Sequence, residues 1–230
     1  MEMKLSFFYR KTLFDEHKGP FGQFSEEDFN LVWECAPFRT LNGKVLDLAC
    51  GSGEVGNHFK TLFPELSVIG ADNSLNLLKW VNFPQCQADA HYLPFRNNSF
   101  DCIVAGAAFH HFSNIERAIT ECSRCLKSKG FFFAYDPNKI HPQRFIMMTD
   151  PLRHIFYRSG DHAISPRHFE SLLTKNGFKS VSFKYVALKG TTKGLLTRLN
   201  HKVLTGFRNL KLDTLIPVIA PWFVISAIKA

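Results

Sequence analysis

An acidic residue closes an apolar run and glycines follow at once: "KVLDLACGSGEVG" places Asp47 ahead of Gly51, Gly53 and Gly56. Glycines in a strand-to-helix turn let a ligand lie against the backbone, with the helix N-terminus just beyond. "GSGEVG" formally satisfies the dinucleotide fingerprint G-x-G-x-x-G, although a helix packing on a sheet also favours a small residue at Gly56. The next apolar run, "VIGADNS", ends in Asp72, 21 residues after Gly51. A carboxylate there can accept hydrogen bonds from the ribose of an adenosine-containing cofactor, or it can cap a helix starting at Ser74. Spacing and context favour the ribose role.

These residues need a parallel sheet to hold them. From Lys44 onward, β-rich runs alternate with helical stretches, the pattern of strands joined by crossover helices. The patterning predicts strands at 44–48, 67–72, 85–88, 102–107, 131–136, 181–188 and 222–229, with helices over 54–63, 74–81, 114–126 and 166–176. Ser165-Pro166 suits the start of the last helix and Gly177 its end. Residues 1–40 lie outside the alternation and include a helix beginning after Ser25. Two longer segments, 137–164 and 189–221, interrupt the later strands. Inserts of such length often form lids or binding surfaces. There is no internal repeat.

Asp47 discriminates between cofactors. A nicotinamide site brings an anionic pyrophosphate to the glycine loop, and a carboxylate just before the loop opposes it. A loop facing a sulfonium and a zwitterionic amino-acid tail gains from the same carboxylate. With "VLDLACGSGEVG", "VIGADNS", "ADAHYLPFRNNSFDCIVAGAAFHHF", "ECSRCLKSKGFFFAYDPN" and "SPRHFESLLTKNGF" in this order, residues 42–190 resemble the class I S-adenosylmethionine (SAM)-dependent methyltransferases. The resemblance is to their UbiE-like small-molecule and lipid group in particular. It implies a Rossmann-like doubly wound α/β sheet of seven strands, the last antiparallel, with helical caps. Residues 1–40 would be the N-terminal cap, and 41–230 the methyltransferase domain carrying the two inserts.

The same resemblance assigns a cofactor site. Ala49, Gly51 and Gly53 would lie under the methionine tail with Asp47 behind them. Asp72 and Asn73 would hold the ribose. Asp89 would accept from the adenine amino group, the backbone of Ala90 would read the ring edge, and Ala105 or Gly106 would offer a carbonyl to the methionine ammonium. Two positions depart from the family pattern: Ala49 stands where many relatives have the first loop glycine, and "LKSKG" replaces "LKPGG". The first is a mild change that still allows close approach; the second is expected to alter a turn more than the site.

"FHHF" puts His110 and His111 just after the fourth strand, near the expected position of the methyl group, where imidazole is the side chain suited to take a proton near neutral pH. Asp136, Asn138 and His141 follow the fifth strand as candidate substrate contacts, while His58, His154 and His168 read as packing or surface residues. Methyl transfer otherwise asks mainly for alignment of nucleophile, methyl and sulfur in a site that excludes water. The acceptor expected is a small molecule or lipid, with oxygen the favoured atom. Two alternatives stay open: a nicotinamide-dependent oxidoreductase and a SAM-binding relative without turnover.

Composition narrows the setting. Six cysteines sit mostly in apolar runs, which suggests a reducing, cytoplasmic environment, and the lone C-x-x-C of Cys122 and Cys125 has no partner pair at metal spacing. No metal is expected. The N-terminus reads as neither signal peptide nor membrane span. Phenylalanine is abundant at 24 residues, which favours a phenylalanine-rich core or an apolar pocket. The net charge of +8 is uneven: residues 175–230 hold ten Lys or Arg against Asp213 alone. Within them, 194–212 has apolar residues at helical spacing beside Arg198, Lys202 and Arg208. That reads as an amphipathic helix, capping the site edge or meeting an anionic membrane surface peripherally. Nucleic acid is disfavoured, since the segment lacks aromatic interleaving and any recognition motif.

Overall fold

The computed structural model describes residues 25–36, 41–142, 164–188, 202–203, 206 and 215–230. Its strands are β1 (Lys44–Leu48), β2 (Ser67–Asp72), β3 (Gln85–Gln87), β4 (Phe100–Gly106), β5 (Leu126–Pro137), β6 (Phe178–Val186) and β7 (Trp222–Lys229). They form one sheet in the order β3-β2-β1-β4-β5-β7-β6. β7 runs antiparallel to both its neighbours, and the other pairings are parallel. The helices are α1 (Glu26–Glu34), α2 (Glu54–Leu62), α3 (Leu75–Leu78), α4 (Ile115–Cys125), α5 (Pro166–Lys175) and α6 (Ile216–Ile219), with a 3-10 turn at Phe109–His111. This is the doubly wound sheet that the patterning and the resemblance predict.

Both faces of the central strands are buried, so these strands read as continuous apolar runs, yet alternate residues still serve opposite faces. Leu46, Leu48, Ile103, Phe132 and Ala134 pack with Phe109, Ile119 of α4 and Phe169 of α5. Val45, Val68, Cys102, Val104 and Phe133 pack on the other side with Val32 of α1 and Val55 and Phe59 of α2. Phenylalanines knit the first face: Phe109 meets Phe169 at 4.8 Å and Phe132 meets Phe178 at 5.5 Å between ring centroids. Helix α1 begins after Ser25 through a capping box with Asp28, and its Trp33 packs against Phe59 and Phe63.

Several boundaries move for local reasons. Helix α3 is a single turn, Leu75–Leu78, rather than 74–81. β5 starts at Leu126 rather than 131, taking "LKSKG" into the strand through a register shift opposite β4. Within it Lys129 holds φ 61°, whereas a Cβ on Gly130 would approach the Lys127 carbonyl to 2.8 Å. The glycine retained in this turn is therefore the sterically required one, and Lys129 carries the left-handed strain. Lys129→Gly is expected to raise stability by about 1 kcal/mol, read by denaturant unfolding, since Lys129 is exposed and loses no core contact.

Most of 137–164 and 189–221 lies outside the described residues, as does 1–24. Of the segment 194–212, Lys202, Val203 and Gly206 are described, and all three are helical. His154 also lies outside. Among the described residues no helix is long and apolar enough to cross a membrane, and no cluster of three metal-ligating side chains occurs. All six cysteines are free thiols.

Candidate active site

The order β2-β1-β4-β5 reverses direction of progression between β1 and β4, and ligands bind at the carboxyl ends of strands around such a switch point. Asp47, the glycine loop, Asp72, the histidine pair and Asp136 all gather at that edge.

Asp47 is completely buried, and its Oδ2 accepts the Gly56 amide at 2.8 Å. Its Oδ1 is buried with no hydrogen-bond partner. Burial pushes its carboxyl up to about 7, with a further rise from nearby Asp72 and a partial offset from the Gly56 amide. The neutral form is thus favoured in the folded chain below that pH. Folded protein then binds more protons than unfolded chain between about pH 4 and 7, so stability falls as pH rises through this window, by a bound of about 4 kcal/mol. Asp47→Asn is expected to flatten that fall in a pH series of chemical denaturation.

The loop after Asp47 needs left-handed backbone at three residues: Ala49 (φ 54°), Gly51 (φ 53°) and Gly53 (φ 86°). An added Cβ at Gly51 would find only Leu77 Cδ1, at 3.9 Å, so the face above Gly51 is open. Gly53 and Gly56 serve another purpose. A Cβ on Gly56 would lie 2.3 Å from Phe83 Cζ, and one on Gly53 3.1 Å from the same ring. Phe83 also lies 3.1 Å from a Cβ built on Gly70, which Cys50 Sγ would meet first at 2.8 Å, so one aromatic ring borders three glycines. Its role was not read from the sequence; the absence of Cβ at three positions was the available signal.

Asp72 is buried, and its two oxygens take two backbone amides: Oδ2 from Gly51 and Oδ1 from Ser74, each at 2.8 Å. It therefore ties the glycine loop to the start of α3, whose N-cap Ser74 accepts the Leu77 amide at 3.3 Å. Burial raises its carboxyl, and the Ser74 and Gly51 amides, followed by nearby His111, work against that rise. The two roles weighed for Asp72 are compatible, because each oxygen keeps a second lone pair beyond its amide. Asn73 is half-buried beside it, its carbonyl accepting Gln87 Nε2 at 2.9 Å.

Farther along, Asp89 receives the His91 amide on Oδ1 at 2.9 Å, and Ala90 is buried. The loop after them is fastened to α4: Glu121 accepts the Leu93 amide at 2.9 Å, and Arg124 donates to the Leu93 and Phe95 carbonyls. At the end of β4, Ala105 and Gly106 pair with Ala134 and Tyr135. Gly106 is small because a Cβ there would come within 2.4 Å of the Tyr135 hydroxyl.

The two histidines separate in role. His110 Nδ1 lies 2.7 Å from Asp136 Oδ1, which also accepts the His110 amide at 3.2 Å, while Oδ2 accepts the Phe109 amide at 3.2 Å. With Asp136 accepting at that position, Nδ1 carries the proton, which leaves Nε2 as the basic nitrogen. The His111 ring lies 3.8 Å from that of His110 between centroids, tilted by 42°, and stands on the Asp72 side.

The three candidates for substrate contact, Asp136, Asn138 and His141, are all buried. Asp136 has no exposure; β5 carries it beneath the 3-10 turn, where it faces His110. Asn138 is equally buried, donating from Nδ2 to the Pro217 and Ala220 carbonyls at 2.8 Å each and accepting the Ile140 amide at 3.1 Å. It fastens β5 to the approach of β7. His141 lies buried just beyond, its amide donating to the Asn138 carbonyl. His58 is a packing residue, stacked on Phe29 at 4.8 Å.

The cofactor alternatives can be weighed on this geometry. In a dinucleotide site the pyrophosphate takes the amides at the helix N-terminus. Here Asp47 already occupies the Gly56 amide in α2, and Phe83 fills the space beside Gly53 and Gly56. Tyr135 and Lys139 do stand at the Tyr-x-x-x-Lys spacing of some dehydrogenases, but Tyr135 is a buried strand residue whose hydroxyl is held well above its usual range by burial. The residues fit SAM: carboxylates at Asp47 and Asp72 suit cationic groups and ribose hydroxyls, and open backbone at Gly51 allows close approach.

Comparison with known proteins agrees. Residues 46–134 match a family model described as a methyltransferase domain. A demethylmenaquinone methyltransferase of Thermotoga maritima is 40% identical over 92 residues, spanning 38% of this chain and 40% of that protein. The ubiquinone/menaquinone biosynthesis C-methyltransferase UbiE of Blochmanniella pennsylvanica is 32% identical over 104 residues, spanning 40% of this chain and 41% of that one. The chain thus spans about two fifths of the length of these curated relatives. A solved structure of Haemonchus contortus phosphoethanolamine N-methyltransferase 2 with S-adenosyl-L-methionine has a TM-score of 0.69 at 16% identity, covering 97% of this chain and 56% of that chain. At that identity the likeness is one of fold.

Proposed function

This chain belongs to the class I SAM-dependent methyltransferases of the UbiE-like group, and on that premise we propose that it transfers a methyl group from SAM to a small-molecule, quinone-type or lipid-type acceptor. The observation that carries the reading is the Asp47 carboxylate on the Gly56 amide. It takes the helix amide that a pyrophosphate would use, and its charge, present above about pH 7, favours a cationic cofactor at the loop. SAM brings an electrophilic methyl on a good leaving group; the chain's own task is to hold it, align the acceptor and manage one proton. Asp72 and the open backbone at Gly51 bind, Asp89 orients the base end, and His110, held by Asp136, takes the acceptor's proton on Nε2. Residues 41–230 form the catalytic unit in this reading, with 1–40 as its cap.

We favour a hydroxyl oxygen as the methylated atom, because a positioned imidazole is of most use where the acceptor must lose a proton. A second reading, methylation of a carbon made nucleophilic by an adjoining hydroxyl, is favoured by the likeness to proteins named as C-methyltransferases. Both use the same base. The excess positive charge of residues 175–230 and the exposed Ile140, Leu215 and Val218 support a lipid-type acceptor. The test is transfer of labelled methyl from SAM to quinol and lipid fractions, with the labelled position mapped by NMR. Label on oxygen supports the first reading and label on carbon the second; no acceptor-dependent release of S-adenosylhomocysteine contradicts both.

A further inference from the structure

We propose that His91 is a positioning residue that fixes Asp89 as a reader of the adenine amino group and so sets the site's choice of nucleobase, an inference that rests on the methyltransferase reading above. Both ring nitrogens of His91 are engaged. Nδ1 lies 2.5 Å from Asp89 Oδ1, and Nε2 lies 3.2 Å from the backbone nitrogen of Asn114. A backbone N–H can only donate, so Nε2 accepts, the proton sits on Nδ1, and the ring is neutral. Ser113 Oγ, 3.5 Å from Nε2, adds a weaker contact on the same side.

Asp89 Oδ1 thus receives two donors from one residue, the ring Nδ1–H and the His91 amide. The carboxylate side chain is 33% exposed while that of His91 is 13% exposed, so the acid stands at the site edge with the imidazole behind it. The ring itself is held. Phe112 meets it edge-on at 5.8 Å between centroids, and Arg117 Nε donates to the His91 carbonyl at 3.0 Å. Asn114 caps α4 by accepting the Arg117 amide at 2.9 Å. One residue therefore registers the Asp89 loop against the start of α4 and against the turn that carries His110.

The chemical consequence is selectivity. A carboxylate locked in one orientation accepts from an exocyclic amine and repels a carbonyl oxygen at the same place. A site built to hydrogen-bond a group discriminates strongly against an analogue that cannot supply the bond. Without the imidazole, Asp89 keeps the amide of residue 91 but loses the ring donor, the Asn114 amide loses its acceptor, and the carboxylate is held less tightly.

The experiment is calorimetric titration of the full chain with S-adenosylhomocysteine and with its inosine analogue, in which oxygen replaces the amino group. The wild type is expected to prefer the adenosine compound by roughly tenfold to a hundredfold. His91→Ala is expected to reduce that preference to about threefold or less; an unchanged preference overturns the proposal. The ratio of the two affinities is the readout, since a general loosening of the fold weakens both compounds together. Nitrogen NMR of the ligand-free wild type gives an independent check: Nδ1 protonated and Nε2 bare supports the assignment, and the reverse tautomer refutes it. If the wild type binds neither compound, the methyltransferase reading falls and takes the proposal with it, whereas selectivity retained in His91→Ala refutes the proposal alone.

Discussion

Asp136→Asn is expected to lower methyl transfer by about 10²- to 10⁴-fold while leaving S-adenosylhomocysteine affinity within a few-fold of wild type. The asymmetry follows from what Asp136 touches. One oxygen faces the Nδ1 and amide of His110, and the other faces the Phe109 amide. An amide side chain has one acceptor and one donor end, so it must oppose an N–H at one of these positions. With its NH₂ toward the ring, it holds His110 in the Nε2–H tautomer, and the basic nitrogen is lost to the acceptor. With its NH₂ toward Phe109, it breaks the turn that carries the ring. Either outcome disables the base without touching Asp72 or the glycine loop. His110→Gln is expected to fall as far, and the double variant no farther, because two residues acting as one unit are not additive. His111→Gln is expected to cost less. Turnover followed by release of S-adenosylhomocysteine, beside calorimetric affinity for it, separates the two effects.

Asp72→Ala is expected to do the reverse and act on binding, weakening S-adenosylhomocysteine by about 10²-fold or more. Two amides, those of Gly51 and Ser74, lose their acceptor in a buried setting, and the ribose contact proposed for Asp72 is removed. The glycine loop and α3 are then no longer joined, so the melting temperature is expected to drop as well. Asp72→Asn keeps one acceptor and is expected to fall between the two. Calorimetry and thermal unfolding on the same samples check both parts.

Much of the site was legible because its signals are local. The strand-to-glycine turn, the acidic end of β2 and the FHHF turn each announce themselves in a few residues, and the sheet follows from their alternation. The less legible features join residues far apart in sequence. Asp136 reads as a candidate substrate contact, and only the fold carries it under His110, 26 residues earlier. Asn138 reads as polar substrate contact until Pro217 and Ala220 arrive from across the chain. Phe83 is one phenylalanine among 24, and only the fold shows that it sits on Gly53, Gly56 and Gly70. Ala49 and Lys129, each standing where the resembled family pattern has glycine, both take left-handed backbone. The cost of that choice is conformational and leaves the site in place.

The central claim is that the edge formed by Asp47, Gly51 and Asp72 holds SAM. Its most direct test is calorimetric titration of the full chain with S-adenosylhomocysteine, run beside NAD. The account predicts one-site, micromolar binding of S-adenosylhomocysteine and none of NAD. Binding of NAD in its place, or of neither, would contradict the account.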